Sequence, residues 1–120
     1  MKLETQISRK YDLEERTAKF AEEVIRLVRT IKPDHINRPI ITQLVKSATS
    51  IGANYMEANG AESRKDFIHK IGICKKESRE TKHFLRMISI SNESILEQTR
   101  KLWREAHELT LIFGAITRKK

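Results

Sequence analysis

Residues 67–88, FIHKIGICKKESRETKHFLRMI, place Phe67, Ile71, Cys74, Ser78, Thr81, Leu85 and Ile88 at alternating steps of four and three. The positions between them are mostly basic, acidic or histidine. An apolar or small residue every 3.5 positions keeps one stripe of a helix turned toward a partner helix, whereas a half-buried strand needs strict alternation. The same steps join Leu13, Thr17, Phe20, Val24, Leu27 and Ile31 upstream, and Ile95, Thr99, Leu102, Ala106, Leu109, Phe113 and Ile116 downstream. No useful length of the chain alternates. The sequence reads as all-α.

Helix breakers divide it. Asp12, with Glu15 three residues on, has the spacing of a capping box. Pro33 stops the first helix, because a proline pushes the residue before it out of the α region. Asn37 or Arg38 opens the second helix, with Pro39 tolerated in its first turn. Asn59 and Gly60 end that helix, Ser63 caps the third ahead of Asp66, and Ser91 and Asn92 mark the last break. Helices are expected near 13–32, 38–58, 64–90 and 93–117. Short connections make sequential helices antiparallel neighbours. The expected architecture is one domain over 1–120, an up-down-up-down four-helix bundle with a short polar N-terminal arm and a basic tail, Arg118, Lys119 and Lys120.

Composition narrows the function. The chain has 120 residues, 33% charged and 38% hydrophobic, with a formal charge of +8. That balance favours anionic partners, RNA and DNA foremost. No stretch approaches the roughly 18 apolar residues that cross a bilayer, and no helix pairs a strongly basic face with an exposed aromatic one, so a membrane-surface reading ranks third and no membrane partner is expected. The opening MKLETQISRKYDLEER has no apolar signal-peptide core, and the lone Cys74 cannot form an internal disulfide. Both fit a reducing, cytoplasmic setting.

The second helix is unusual. One seam runs Ile40, Leu44, Ser47, Ile51, Asn54 and Ala58, and a second stripe runs Ile41, Val45, Ala48, Gly52 and Tyr55. A helix that is apolar or small on more than one face is enclosed by several neighbours. Gly52 in mid-helix costs about 1 kcal/mol against alanine, which close packing must offset. Asn54 falls on the seam, Glu57 lies beside it, and Gln43 belongs to the same polar set. Single polar residues on seams set register or oligomeric state, so these three are read as a buried polar network inside or between bundles.

The run QLVKSATSIGANYMEANGAESRKDFIHKIGICKKESRETKHFLRMI resembles the bacterial four-helix bundle proteins encoded in intervening sequences of 23S ribosomal RNA genes. The resemblance rests on SIGAN-x-x-EA at Ser50 to Ala58, on SRKDF at Ser63 to Phe67, and on Glu77 and Glu80 ahead of Phe84 and Leu85. DLEERTAKFAEEVIRL looks like the family's first helix. The resemblance implies a ring-like homopentamer without enzymatic activity. The family is similar to the accessory proteins of diversity-generating retroelements, which bind nucleic acid and assist a reverse transcriptase. A ring packs each subunit on two sides, so Ala48, Gly52 and Tyr55 are the expected contact with a sister copy.

Catalytic and metal constellations are weak. Glu80 and His83 have di-iron spacing once, with Asp66 and His69 a weaker version, but both histidines fall on an outward helical position. His35 lies in a loop and His107 beside the fourth seam. Cys74 sits on an apolar seam, where a thiol behaves as a small hydrophobe. No phosphate-binding glycine loop occurs, so neither a catalytic residue nor a cofactor is assigned. Between Arg64 and Arg86, eight basic residues face only Asp66, Glu77 and Glu80. Lys65, Lys75, Lys76, Arg79, Lys82 and Arg86 are the candidate phosphate contacts, multiplied by avidity in an oligomer. The rings near basic residues, Tyr11, Phe84 and Trp103, read as core or interface, which favours backbone binding without base readout. The leading expectation is a non-enzymatic accessory factor that binds structured RNA or DNA. The alternative is an oligomeric scaffold that docks a protein partner and touches no nucleic acid.

Overall fold

The computed structural model describes residues 11–118, and the expected N-terminal arm and Lys119 and Lys120 lie outside them. Among the described residues four helices follow one another: α1 Leu13–Val28, α2 Asn37–Asn59, α3 Arg64–Ser91 and α4 Leu96–Arg118, with a 3-10 turn Glu93–Ile95 before the last. They stack as antiparallel neighbours in a bundle of 46 × 22 × 20 Å. The α2–α3 and α3–α4 pairs pack most extensively, α1 leans on α2, and of the adjacent pairs α1 and α4 touch least. No described helix is long and apolar enough to cross a membrane.

Each end has a local cause. Asp12 is left-handed, with φ 46°, and its side chain caps nothing, so the expected capping box with Glu15 does not form. α1 ends at Val28 rather than near 32. Its last turns tighten to i→i+3 bonds, Thr30 N to Leu27 O and Ile31 N to Val28 O, and the Thr30 hydroxyl takes the same Leu27 carbonyl at 2.7 Å. A side-chain donor so placed competes with the helical ladder one turn before Pro33 intervenes. The opening of α2 is capped from Asp34, whose Oδ1 accepts from the backbone N–H of Ile36 at 3.0 Å and of Asn37 at 2.7 Å. Ser63 caps α3, accepting the Asp66 N–H at 3.0 Å. α2 closes at Gly60 without a left-handed residue, φ −93°.

The core collects Phe20, Tyr55, Phe67 and Phe113 with the aliphatic seams, and Tyr55 meets Phe113 at 6.3 Å between ring centres. The hydroxyls on those seams are satisfied locally. Thr17, Ser78 and Thr110 donate one turn back, to Leu13, Cys74 and Ala106 carbonyls. Across the α2–α3 seam, the Thr81 hydroxyl donates to Ser47 Oγ at 3.0 Å. These buried serine and threonine hydroxyls therefore cost little.

The small stripe of α2 is enclosed by its own chain. Ala48 and Tyr55 are fully buried, and a Cβ added to Gly52 would stand 3.1 Å from Thr17 Oγ1 of α1. Ala48 and Tyr55 were expected to meet a sister copy and are instead covered within the chain, Tyr55 against Phe113 of α4, while Gly52 is half-buried beside α1. Asn54 makes no link to another helix of its own chain. It is half-buried, and its amide donates to Ser50 O of its own helix at 2.8 Å.

Candidate nucleic-acid interface

α3 turns its cations outward in rows seven residues apart, which two turns of helix nearly superimpose. Lys65, Arg79 and Arg86 form one row with Gly72, and Lys76 and His83 form a second; all the charged members of both are exposed. Lys75 and Lys82 form a third, half-buried row that leans toward α4. The Lys82 ammonium lies 3.1 Å from His107 Nδ1, and Lys75 reaches over Gly114. None of the six candidate cations forms an ion pair with a described carboxylate, whereas Lys70, two turns from the N-terminus of α3, pairs with Glu57 of α2 at 3.0 Å.

Gly72 has open space where a side chain would stand, and it leaves a dip in this face. The dip widens into an open groove of about 640 Å³ walled by Lys75, Lys76, Arg79 and His83, with Glu80, Phe84 and Gln43 on the α2 side. Gln43, read from sequence as part of a buried network, is exposed and belongs to this groove. Glu57 is exposed in its pair with Lys70. Of the polar set Gln43, Asn54 and Glu57, none forms a buried link between helices. Glu77 lies on α3, half-buried outside the groove. Its carboxyl is raised above the usual range by burial, then by the charge and hydrogen bond of Glu80, against the pull of Lys76 and Lys46.

Other chemistry has little to stand on. The Cys74 thiol is buried, directed at Ile51 O at 3.5 Å, and burial pushes it up to about 12. A thiol so held is no nucleophile near neutrality. Among the described residues no three metal-type ligands cluster. His69 and His83 are exposed on α3 and His35 is exposed before α2.

Two arrangements escaped the sequence reading. Trp103, assigned there to core or interface, is 39% exposed. It stacks on His107, with ring centres 5.1 Å apart and planes 12° from parallel, and Lys82 Nζ stands 5.2 Å from its centroid. The four-residue step from Trp103 to His107 is visible in the sequence; the approach of Lys82 from α3 is not. The second is a bidentate pair between Arg16 of α1 and Glu105 of α4.

The described residues form an all-α four-helix bundle with a cationic face on α3. The family profile of the 23S rRNA-intervening sequence proteins matches residues 9–115, and the chain belongs to that family. A crystal structure of a protein of unknown function from the S23 ribosomal protein family of Bacteroides thetaiotaomicron is similar, with a TM-score of 0.78 and 28% identity, over 88% of this chain and 97% of that one. No curated protein matches the chain.

Proposed function

We propose that this chain is a non-enzymatic accessory protein that grips the backbone of structured RNA or DNA with the outward face of α3. One observation carries the reading: Lys65, Lys76, Arg79 and Arg86 project from a single helix face with no carboxylate partner among the described residues. At 1.5 Å per residue this track spans about 30 Å, long enough for several phosphates. Unpaired surface cations in a row supply affinity by counterion release, without reading sequence.

Self-association would repeat the face and raise its avidity. The homopentamer and the reverse transcriptase partner, both implied by the likeness to intervening-sequence and retroelement accessory proteins, are part of this proposal. Ala48 and Tyr55 are fully buried within one chain, so the joining surface must involve other residues. A scaffold that docks a protein is the second reading. It is favoured by Ile36 and Ile90, 51% and 73% exposed, at the end of the bundle where α2 begins and α3 finishes.

The test is fluorescence anisotropy with a labelled RNA hairpin over a series of salt concentrations. Changing Lys65, Lys76 and Arg79 together to glutamate should leave the helical circular dichroism intact. It should also weaken binding at least tenfold and flatten the log–log salt slope by about 0.9 for each phosphate no longer neutralised. Unchanged affinity and slope would remove α3 as the interface.

A further inference from the structure

We infer that the recess beside Trp103 is a stacking site for one unpaired base of a nucleic-acid strand. Trp103 is the chain's single tryptophan, and one flank of its ring is already furnished. His107, one turn toward the C-terminus, lies nearly parallel to it. The Lys82 ammonium, which has only donors, stands 3.1 Å from His107 Nδ1. The imidazole held there is a flat backing for the indole. Leu96, Thr99 and Arg100, one to two turns toward the N-terminus, line a recess with Trp103.

This recess of about 190 Å³ opens between α3 and α4, floored by buried Leu85 and Thr99 and rimmed by exposed Leu96, Arg86 and Arg100. It is smaller than the roughly 300–1,000 Å³ of sites for drug-sized ligands, and it suits a single planar ring. Both arginines are exposed, and neither is ion-paired with a described residue. An aromatic face beside an apolar floor, with a guanidinium on each of two helices, offers stacking to a base and charge to its phosphate.

Continuity identifies the occupant. Arg86 belongs both to this rim and to the cation row of α3, and Lys82 joins the same helix to the Trp103 stack. A strand tracking along α3 arrives at the recess with its phosphates already placed. A paired base cannot enter, because its faces are covered by its neighbours in the helix. The site therefore deepens the reading of α3 as a nucleic-acid interface, on which it rests, by selecting a single-stranded segment.

The single tryptophan makes the test site-specific. The full chain is titrated with a 12-nucleotide oligouridylate and, separately, with a blunt RNA duplex of the same length. Indole emission and the anisotropy of end-labelled strands are both followed. The oligouridylate should quench emission and the duplex should not. Trp103→Leu should lose tenfold or more of single-strand affinity while duplex binding is unchanged, and Trp103→Phe should restore most of the loss. The substituted site is partly exposed, and circular dichroism checks that the variants fold. If single strands bind without quenching, and Trp103→Leu binds them like the parent, the stacking site is refuted while the α3 interface stands. If neither strand nor duplex binds, both fail together.

Discussion

Gly52 of α2 lies against Thr17 of α1 so closely that an added Cβ would meet Thr17 Oγ1 at 3.1 Å. That hydroxyl is held in turn by Leu13 O at 2.6 Å, so it yields poorly. Alanine at position 52 would gain about 1 kcal/mol of helix propensity and lose a similar amount to crowding. Gly52→Ala should therefore be nearly neutral, and Gly52→Val should cost about 2 kcal/mol or more. In a Thr17→Ala background the obstructing oxygen is gone, so Gly52→Ala should become stabilising. Urea unfolding of the four-membered cycle measures the coupling. An identical effect of Gly52→Ala in both backgrounds would show that the close approach is unimportant.

Arg16 and Glu105 join the two adjacent helices that touch least. Nε and Nη2 of Arg16 lie 2.7 and 2.8 Å from the two oxygens of Glu105, at the wall of a groove of about 490 Å³ between α1 and α4. The side chains are 29% and 31% exposed, so solvent screens them in part. The bidentate geometry puts the pair at the upper end of surface ion pairs, about 1 kcal/mol. Arg16→Ala and Glu105→Ala should show that coupling in a double-mutant cycle, and 1 M salt should reduce it. A coupling of zero at low salt would make the pair incidental.

Glu77 carries the pH prediction. Its carboxyl is raised by burial and by Glu80, so the folded chain holds the proton more tightly than the unfolded chain does. Stability from such a group is complete below the unfolded value and is lost as the pH climbs through the folded one. Denaturant midpoints should therefore fall as pH rises from near 4.5, the ordinary value. Glu77→Gln should flatten that limb and equal or exceed the parent at pH 7. A glutamine variant that is weaker at pH 7 would mean that the ionised carboxylate stabilises the fold.

The heptad seams were legible because periodicity reports burial directly: Phe67, Ile71, Cys74, Ser78, Thr81, Leu85 and Ile88 are all buried. Helix ends were less so. At Asp12 and Asp34 the sequence offers a carboxylate near each start, but backbone geometry decides which one caps, and only Asp34 does. The small stripe of α2 was recognised as enclosed, yet sequence could not say by which neighbour, since Ala48 and Gly52 fit α1 as well as a second copy. Gln43 and Asn54 form no buried polar network within one chain, for a related reason. A heptad label fixes an angle around the helix, but not how far the neighbouring helix extends over it. Lys82 and Trp103, twenty-one residues apart on different helices, meet only through the α3–α4 register.

Asn37 provides the last prediction. It is 2% exposed, and its amide ties three segments together at one end of the bundle. Nδ2 donates to Lys32 O at 2.9 Å. Oδ1 accepts from Ser91 Oγ at 2.8 Å and from Asn92 Nδ2 at 2.9 Å. The Asn92 amide also donates to Ile88 O at 3.0 Å, helping to close α3. Asn37→Ala strips partners from several of these groups, and each buried polar group left unsatisfied costs about 1–3 kcal/mol. A loss in that range is expected in urea unfolding. Asn37→Asp preserves size and the acceptor, but it sets an oxygen against Lys32 O, Asp34 Oδ2 and Asn92 Oδ1. It should be at least as damaging at pH 7, with part of the loss recovered toward pH 4 as the new carboxyl takes up a proton. If Asn37→Asp matched the parent at neutral pH, the donor side of this amide would be dispensable and the clamp would rest on Oδ1 alone.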